Sequence, residues 1–192
     1  MNIISKATYI RGKNATNNAI DKIVKSQPHG IVMVGTSGAL ANFVSRAKKA
    51  GLVNSEFCTV SFVGSETFAK DLKKYGKNTS KNVLVSQVVP SPYATKSKSV
   101  DNYIFLFNKF FSGKKPNYVS YEGFINAQIL VEAIKRCGKI VNREKIRYIL
   151  KNMSKLQLGI NMKSKINAFN HSFFTKVYLS KIKDGKFVTF QE

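Results

Sequence analysis

Short β-branched apolar runs alternate with amphipathic segments of helical period through the first ninety residues, and this alternation restricts the fold more than any other feature of the chain. Ile31-Val32-Met33-Val34 is a continuous apolar run, as expected of a strand buried on both faces, and the turn Gly35-Thr36-Ser37-Gly38 follows it. Residues 39–50 then place Leu40, Phe43, Val44 and Ala47 on one stripe, with Lys48 and Lys49 in the last turn and Gly51 as the stop. The cycle repeats with a strand over 57–63, the loop Gly64-Ser65-Glu66 and a helix over 67–75 carrying Phe68 and Leu72. A further strand over 83–89 is cut off by Pro90 and Pro92. Ahead of these, residues 17–26 read as a helix with Ile20, Ile23 and Val24 on one stripe, Thr16 as N-cap and Pro28 as terminator. Residues 1–9 read as a strand, followed by a loop at Arg11-Gly12-Lys13-Asn14. The pattern predicts an α/β fold: right-handed crossovers building a parallel sheet with helices on both faces.

After Pro92 the texture changes. Helices are expected over 100–111, with Tyr103, Ile104, Phe107 and Phe110 on a broad face, and over 120–137, with Phe124, Ile125, Leu130, Val131 and Ile134. A third runs from an Asn142 cap to Lys151. Three helices without intervening strands cannot extend the sheet already built, so they are expected to cover something else, a second lobe. The tail returns to β character: 176–182, the turn Asp184-Gly185, then 187–190 form a hairpin.

Composition narrows the function classes. The 192 residues carry 32 basic side chains against 10 acidic ones, a formal charge of +22. Of the basic residues 27 are lysine and five arginine, whereas base and phosphate recognition leans on the guanidinium fork. Pairs such as Lys48-Lys49, Lys73-Lys74 and Lys114-Lys115 sit at the ends of helical segments, which favours a solvated basic surface over a specific nucleic-acid partner. No run approaches the roughly 18 apolar residues of a membrane span. Cys58 and Cys137, even with His29 and His171, lack the spacing of a disulfide framework or a metal site, so no metal and no cofactor is expected. No secretory signal precedes the first strand, which implies a cytoplasmic chain if Met1 is the true start.

In open α/β sheets the binding crevice lies beyond the carboxyl ends of the parallel strands. The loops there are Tyr9-Ile10-Arg11-Gly12, Gly35-Thr36-Ser37-Gly38, Gly64-Ser65-Glu66 and Pro90-Ser91-Pro92-Tyr93, and parallel strands would project all four from one rim. That set of hydroxyls, amides, one carboxylate and two tyrosines suits a small zwitterion. Glu66 is the candidate for an ammonium group, with Thr36 and Ser37 as hydrogen-bonding partners. A Glu in a first helical turn also suits the helix dipole whatever it binds.

These residues resemble a known family. In family order come Ala7-Thr8-Tyr9-Ile10-Arg11-Gly12, Ile31-Val32-Met33-Val34-Gly35-Thr36, Arg46-Ala47-Lys48-Lys49-Ala50-Gly51-Leu52, Phe62-Val63-Gly64-Ser65-Glu66 and Val83-Leu84-Val85-Ser86-Gln87-Val88-Val89-Pro90. Tyr121-Glu122-Gly123-Phe124-Ile125-Asn126-Ala127, Leu130-Val131-Glu132-Ala133-Ile134, Val177-Tyr178-Leu179 and Asp184-Gly185-Lys186-Phe187-Val188 complete the run. Together they resemble the second half of a type I periplasmic substrate-binding protein, the leucine-binding or branched-chain amino acid receptor kind that serves ABC importers. The resemblance implies two α/β lobes that close on a ligand. Residues 1–86 and 158–192 would be the second lobe, and 87–157 the helical remainder of the first with the hinge crossings, at 85–92 and 155–160.

It also implies a periplasmic location, an ABC transporter permease as partner and an amino acid or analogue as ligand. The candidate ligand-binding residues are Arg11, Thr36, Ser37, Glu66 and Tyr93 of the strand-edge loops together with Phe124, which the resemblance adds, none of them catalytic. Glu66 keeps the family's amine-facing carboxylate, whereas Ser37 stands where the family has a cleft aromatic. Phe124 falls on another cleft aromatic, although its helical spacing equally suits core packing. The first lobe's sheet, with the serine and threonine that hold the substrate carboxylate, is missing from the sequence. The helices of 97–153 are therefore expected to expose the apolar face meant for that sheet, and the chain to be a truncated or split receptor with weakened binding.

Two other classes compete. Gly35-Thr36-Ser37-Gly38-Ala39 sits where the nucleophile elbow of a serine hydrolase would, with His171 late enough to serve as base, but Ala39 replaces the last elbow glycine. A basic nucleic-acid-binding module has only the charge in its favour.

Overall fold

The computed structural model describes residues 2–15, 17–93, 96–153, 176–183 and 185–190. The chain divides into two compact units: Met1–Gln87 with Tyr178–Glu192, and Val88–Val177.

Unit 1 is built on a five-stranded sheet. Strands β1 (Gly30–Met33), β2 (Glu56–Val60) and β3 (Val83–Gln87) are parallel neighbours in that order, with Ile31 opposite Phe57 and Thr59 opposite Val85. Strand β4 (Tyr178–Lys183) then runs antiparallel to β3, and β5 (Lys186–Thr189) antiparallel to β4. The α/β class read from the sequence holds, and the C-terminal hairpin makes the sheet mixed. Gly185, at a φ of 77°, takes the left-handed position of the hairpin turn, while Asp184 lies outside the described residues. Helices α1 (Asn17–Lys25), α2 (Ser37–Lys49) and α3 (Ser65–Lys74) come close to their expected positions, and Gly51 ends α2 at a φ of 109°. Thr16, the expected cap of α1, lies outside the described residues.

One face of the sheet carries the core. Phe57, Val83, Val85, Gln87 and Phe187 point to that face and are buried, and α2 and α3 cover it. Phe43 of α2 meets Phe57 edge-on at 6.5 Å, and Phe68 of α3 stacks on Phe187 at 6.3 Å. The other face differs from expectation. The apolar run of β1 promises burial on both sides, yet Val32 is 78% and Val34 62% exposed, because no element of unit 1 lies over them among the described residues. Replacing Val32 or Val34 by lysine is accordingly expected to change stability by no more than about 0.5 kcal/mol, measured by urea unfolding.

Residues 2–10 do not form the expected strand. Ile3, Ile4 and Ile10 are exposed, and the segment pairs with no strand of the sheet. Its anchor is Tyr9, whose hydroxyl donates to the Val34 carbonyl at 3.2 Å.

Lys48 ties α2 to the turn before β3. Its Nζ donates to the carbonyls of Asn78 (3.2 Å), Thr79 (3.1 Å) and Lys81, and lies 5.5 Å from the centre of the Phe57 ring. Burial, and then the charge of Lys81, lower its pKa from 10.5 to about 8. The sign follows from linkage. Below pH 8 both folded and unfolded chains hold the proton, and the cost of the buried charge is fully present. Between about 8 and 10.5 the folded chain releases it first, so stability contributed by this site rises with pH. The wild-type chain is expected to gain stability across that window relative to Lys48→Met, as read by urea unfolding at each pH.

Unit 2 contains helices α4 (Lys98–Phe110), α5 (Tyr118–Arg136) and α6 (Arg143–Asn152). Each begins on a side-chain cap: Ser97 Oγ accepts from Val100 N, Asn117 Oδ1 from Ser120 N at 2.9 Å, and Asn142 Oδ1 from Lys145 N at 2.8 Å. The Asn117 capping box starts α5 two residues ahead of the expected Ser120. Tyr103 packs on Tyr121 at 4.9 Å and shares a 2.6 Å hydrogen bond with Ser120, which joins α4 to α5. Helix α5 is apolar on two sides. Tyr121, Ile125, Ile129 and Ala133 are buried, whereas Leu130, Val131 and Ile134 on the opposite side are exposed, and α6 has no fully buried residue. Exposed apolar surface on these helices is what the sequence led us to expect.

Candidate functional site

Three parallel strands bring three loops to one edge of unit 1. Strand β1 leads through Val34-Gly35-Thr36 into α2, β2 through the 3-10 turn Ser61–Val63 and Gly64 into α3, and β3 ends at Gln87. Backbone geometry fixes two of these turns. Gly64 adopts a φ of 72° at the start of α3, a left-handed conformation that glycine reaches without penalty. At Gly35 a Cβ would stand 1.8 Å from the Tyr9 hydroxyl and 3.0 Å from Leu40 Cδ2, so the close approach of Tyr9 to β1 requires glycine.

Of the candidate ligand residues, Thr36, Ser37 and Glu66 therefore share this edge. Thr36 is exposed and its side chain caps no amide of α2, although its carbonyl accepts from Leu40 N at 3.0 Å. Ser37 is half-buried as the first residue of α2. Glu66 is half-buried in the first turn of α3, where its charge suits the helix N-terminus. Arg11 is exposed in the turn closed by Lys13 N donating to the Ile10 carbonyl, two residues from the Tyr9 that anchors this segment to β1.

Tyr93 and Phe124 belong to unit 2. Tyr93 donates its hydroxyl to the Pro116 carbonyl at 2.9 Å and meets Tyr118 edge-on at 5.8 Å. Phe124 is half-buried against Tyr103 at 5.6 Å, a core contact of the kind its helical spacing suggests. His171 and the expected hinge crossing at 155–160 lie outside the described residues.

Sequence reasoning missed two features. Asp71 of α3 accepts from Lys74 Nζ at 2.6 Å, and its Oδ2 lies 4.0 Å from where a Cβ on Gly38 of α2 would stand; the Lys74 hydrogen bond is the first cause that holds its pKa below the ordinary carboxylate value. Gln87, fully buried, donates through Nε2 to Ser65 Oγ at 2.6 Å and to Ser180 Oγ at 3.1 Å, while Ser180 Oγ donates to the Val85 carbonyl at 2.9 Å. This pins the start of α3 to β3 and β4 beneath the edge. The signal was present: Gln87 is the polar residue in the inward series Val83, Val85, Gln87. Among the described residues no group of three or more His, Cys, Asp or Glu side chains is placed to hold a metal, and no helix is long and apolar enough to cross a membrane.

With this geometry in hand, the chain matches the periplasmic binding protein family over residues 3–186. It belongs to that family. No curated protein matches the chain in sequence. Among solved structures, a possible leucine/isoleucine/valine-binding protein from Rhodopirellula baltica superposes with a TM-score of 0.85 at 22% identity, over 95% of this chain and 48% of its own. A branched-chain amino acid ABC transporter protein from Thermus thermophilus, with bound valine, gives 0.75 at 17% identity, over 95% and 50% respectively. A leucine binding protein from Thermotoga maritima gives 0.73 at 17% identity, over 94% and 49%. This periplasmic binding protein chain thus spans about half the length of the solved structures it matches.

Proposed function

We propose that this chain is the substrate-binding component of an ABC importer for amino acids or similar small polar solutes, acting in the periplasm with a transporter permease and carrying out no catalysis. Unit 1 is the second ligand-binding lobe of such a receptor. Residues 87–157 are the helical remainder of the first lobe, with the hinge crossings.

The observation that carries the reading is the strand edge of unit 1. There Thr36, Ser37 and Glu66 stand at the starts of two helices fed by parallel strands, on a chain of the periplasmic binding protein family. The solved structures described as binding leucine or valine share this fold and support an amino acid as the ligand class. The chain matches only about half of their length, and its sheet and α5 each leave an apolar face open. Both points favour weakened binding by this chain alone, since closure over a ligand needs two complete lobes.

Equilibrium dialysis of the 192-residue chain against radiolabelled leucine, valine and alanine tests the proposal. Binding is expected to be saturable, weaker than micromolar, and undisturbed by excess 4-methylpentanoate, which lacks the amine. Micromolar or tighter affinity for leucine contradicts the weakened state; no binding of any amino acid contradicts the receptor reading.

A further inference from the structure

From residue 17 to residue 95, every Lys and Arg lies in the second half of a helix or in the turn that follows it. The stretches 30–45, 50–69 and 82–95, which run through a strand toward the next helix, hold neither. Because β1, β2 and β3 are parallel, the helix ends and turns return to the edge where the strands begin, opposite the candidate ligand edge. Two contacts join these turns into one rim. Ser55 Oγ, ahead of β2, donates to the Pro28 carbonyl, ahead of β1, at 2.7 Å, and Lys48 at the end of α2 donates to carbonyls ahead of β3. Strand β4 runs the other way and ends at the same edge, where Lys183 pairs in register with Lys186 of β5.

Lysines in a last helical turn follow from the helix dipole alone, but Lys77 and Lys81 lie beyond α3 and the dipole does not account for them. Lys25, Lys49, Lys73, Lys77 and Lys81 are all exposed. Against them the rim sets Glu56, while Asp71 is paired with Lys74 at 2.6 Å and Asp184 lies outside the described residues. Val53 and Tyr75 stand in the same turns, 53% and 41% exposed. Exposed lysines with apolar side chains set among them suit a layer of anionic headgroups, which attracts the charges and admits the apolar tips. The rim is poorly equipped to read nucleic acid. Arg46, the one arginine of these turns, gives its guanidinium to the Ala15 carbonyl at 2.6 Å and to the Asn17 side chain, and the lysines meet phosphate only as point charges.

We propose that this rim of unit 1 docks on an anionic phospholipid bilayer, with Lys49, Lys73, Lys77 and Lys81 over headgroup phosphates and Val53 and Tyr75 at the acyl boundary. Lys48 takes no part, because its ammonium is held by three carbonyls of the chain itself. The proposal is independent of what the opposite edge binds.

Sedimentation of the 192-residue chain with vesicles of phosphatidylglycerol and phosphatidylcholine in equal parts tests it. At about 0.1 M salt, charges are screened over about 10 Å, so their placement counts for more than the net charge. Replacing Lys49, Lys73, Lys77 and Lys81 by glutamine is expected to weaken partitioning about a hundredfold or more, since each basic residue near an anionic surface contributes several-fold. Replacing the exposed Lys115, Lys135, Lys139 and Lys145 of unit 2 by glutamine removes the same charge and is expected to weaken it by less than about tenfold. A second readout needs no lysine substitution. The chain has no tryptophan, so Val53→Trp on the rim and Ile140→Trp in unit 2 each give a single fluorophore. The vesicles are expected to shift the emission of the first to the blue and to leave the second unmoved. Duplex DNA at equal exposed phosphate is expected to leave the chain on the vesicles. No binding to these vesicles, equal losses from the two lysine sets, or a blue shift at Ile140→Trp as large as at Val53→Trp overturns the proposal. A chain stripped from the vesicles by DNA overturns it too, in favour of a nucleic-acid surface.

Discussion

Truncating Phe57 to alanine is expected to destabilise unit 1 by about 3–5 kcal/mol, the range for removing a fully buried aromatic ring from a packed core. Phe57 stands in β2 with no exposed surface, meets Phe43 of α2 edge-on, and has Lys48 Nζ above its ring. The sheet of unit 1 has its helices α2 and α3 on one face, so the burial that holds strands and helices together is concentrated on that face and Phe57 is central to it. Loss of the ring also removes the aromatic face over which Lys48 Nζ sits while it ties down the turn before β3. A domain has about 5–15 kcal/mol of stability in all, so a large part of the folded population is at stake. Phe57→Leu, which keeps most of the volume, is expected to cost about 1.5 kcal/mol or less. Urea unfolding followed by circular dichroism checks both; equal effects of the two substitutions would mean that ring packing is not what Phe57 contributes.

Replacing Gln87 by glutamate is expected to destabilise the chain by about 3 kcal/mol at pH 7 and by far less at pH 4, since a fully buried carboxyl shifts its pKa upward by a few units, each worth about 1.4 kcal/mol. The exchange keeps the shape of the side chain and changes what it can donate. Gln87 Nε2 supplies hydrogen bonds to Ser65 and Ser180, whereas Gln87 Oε1 and Thr59 Oγ1 have no partner among the described residues. A carboxylate there would lose the donor and put charge on a fully buried group whose oxygen has no partner among the described residues. The direction with pH is fixed by linkage: below the unfolded carboxyl pKa both states are protonated and the penalty is small. As pH rises past that value the unfolded chain ionises while the folded one stays neutral, and stability falls until the raised folded pKa is reached. Unfolding midpoints at pH 4 and 7 measure it. A variant equally stable at both would place residue 87 in contact with water.

Local patterns carried much of this fold and little of the chemistry at its edge. The stripe Leu40, Phe43, Val44 and Ala47 with Gly51 after it locates α2, and Asn142 locates the start of α6, because helix period and capping act over a few residues. The outer face of β1 was misread for the complementary reason. Ile31-Val32-Met33-Val34 has the composition of a doubly buried strand, but what lies over Val32 depends on elements far away in the chain. Residues 2–10 have strand-like composition and yet pair with no strand of the sheet. Thr36, Ser37 and Glu66 were legible as edge residues, since parallel connectivity alone brings the loops after β1 and β2 together. Asp71 was not. Only the offset of α3 along α2, expressed again in the Asn42 to Tyr75 contact, brings its carboxylate beside Gly38.

The most direct measurement on the account as a whole is an amide-resolved titration of the chain with L-leucine up to its solubility limit. Saturable shifts gathered at residues 35–38 and 64–66, the loops after β1 and β2, are the predicted result. Shifts gathered instead at the opposite ends of the same strands, around His29 and Ser55, or no saturable shift anywhere, would contradict the placement of ligand binding on this edge.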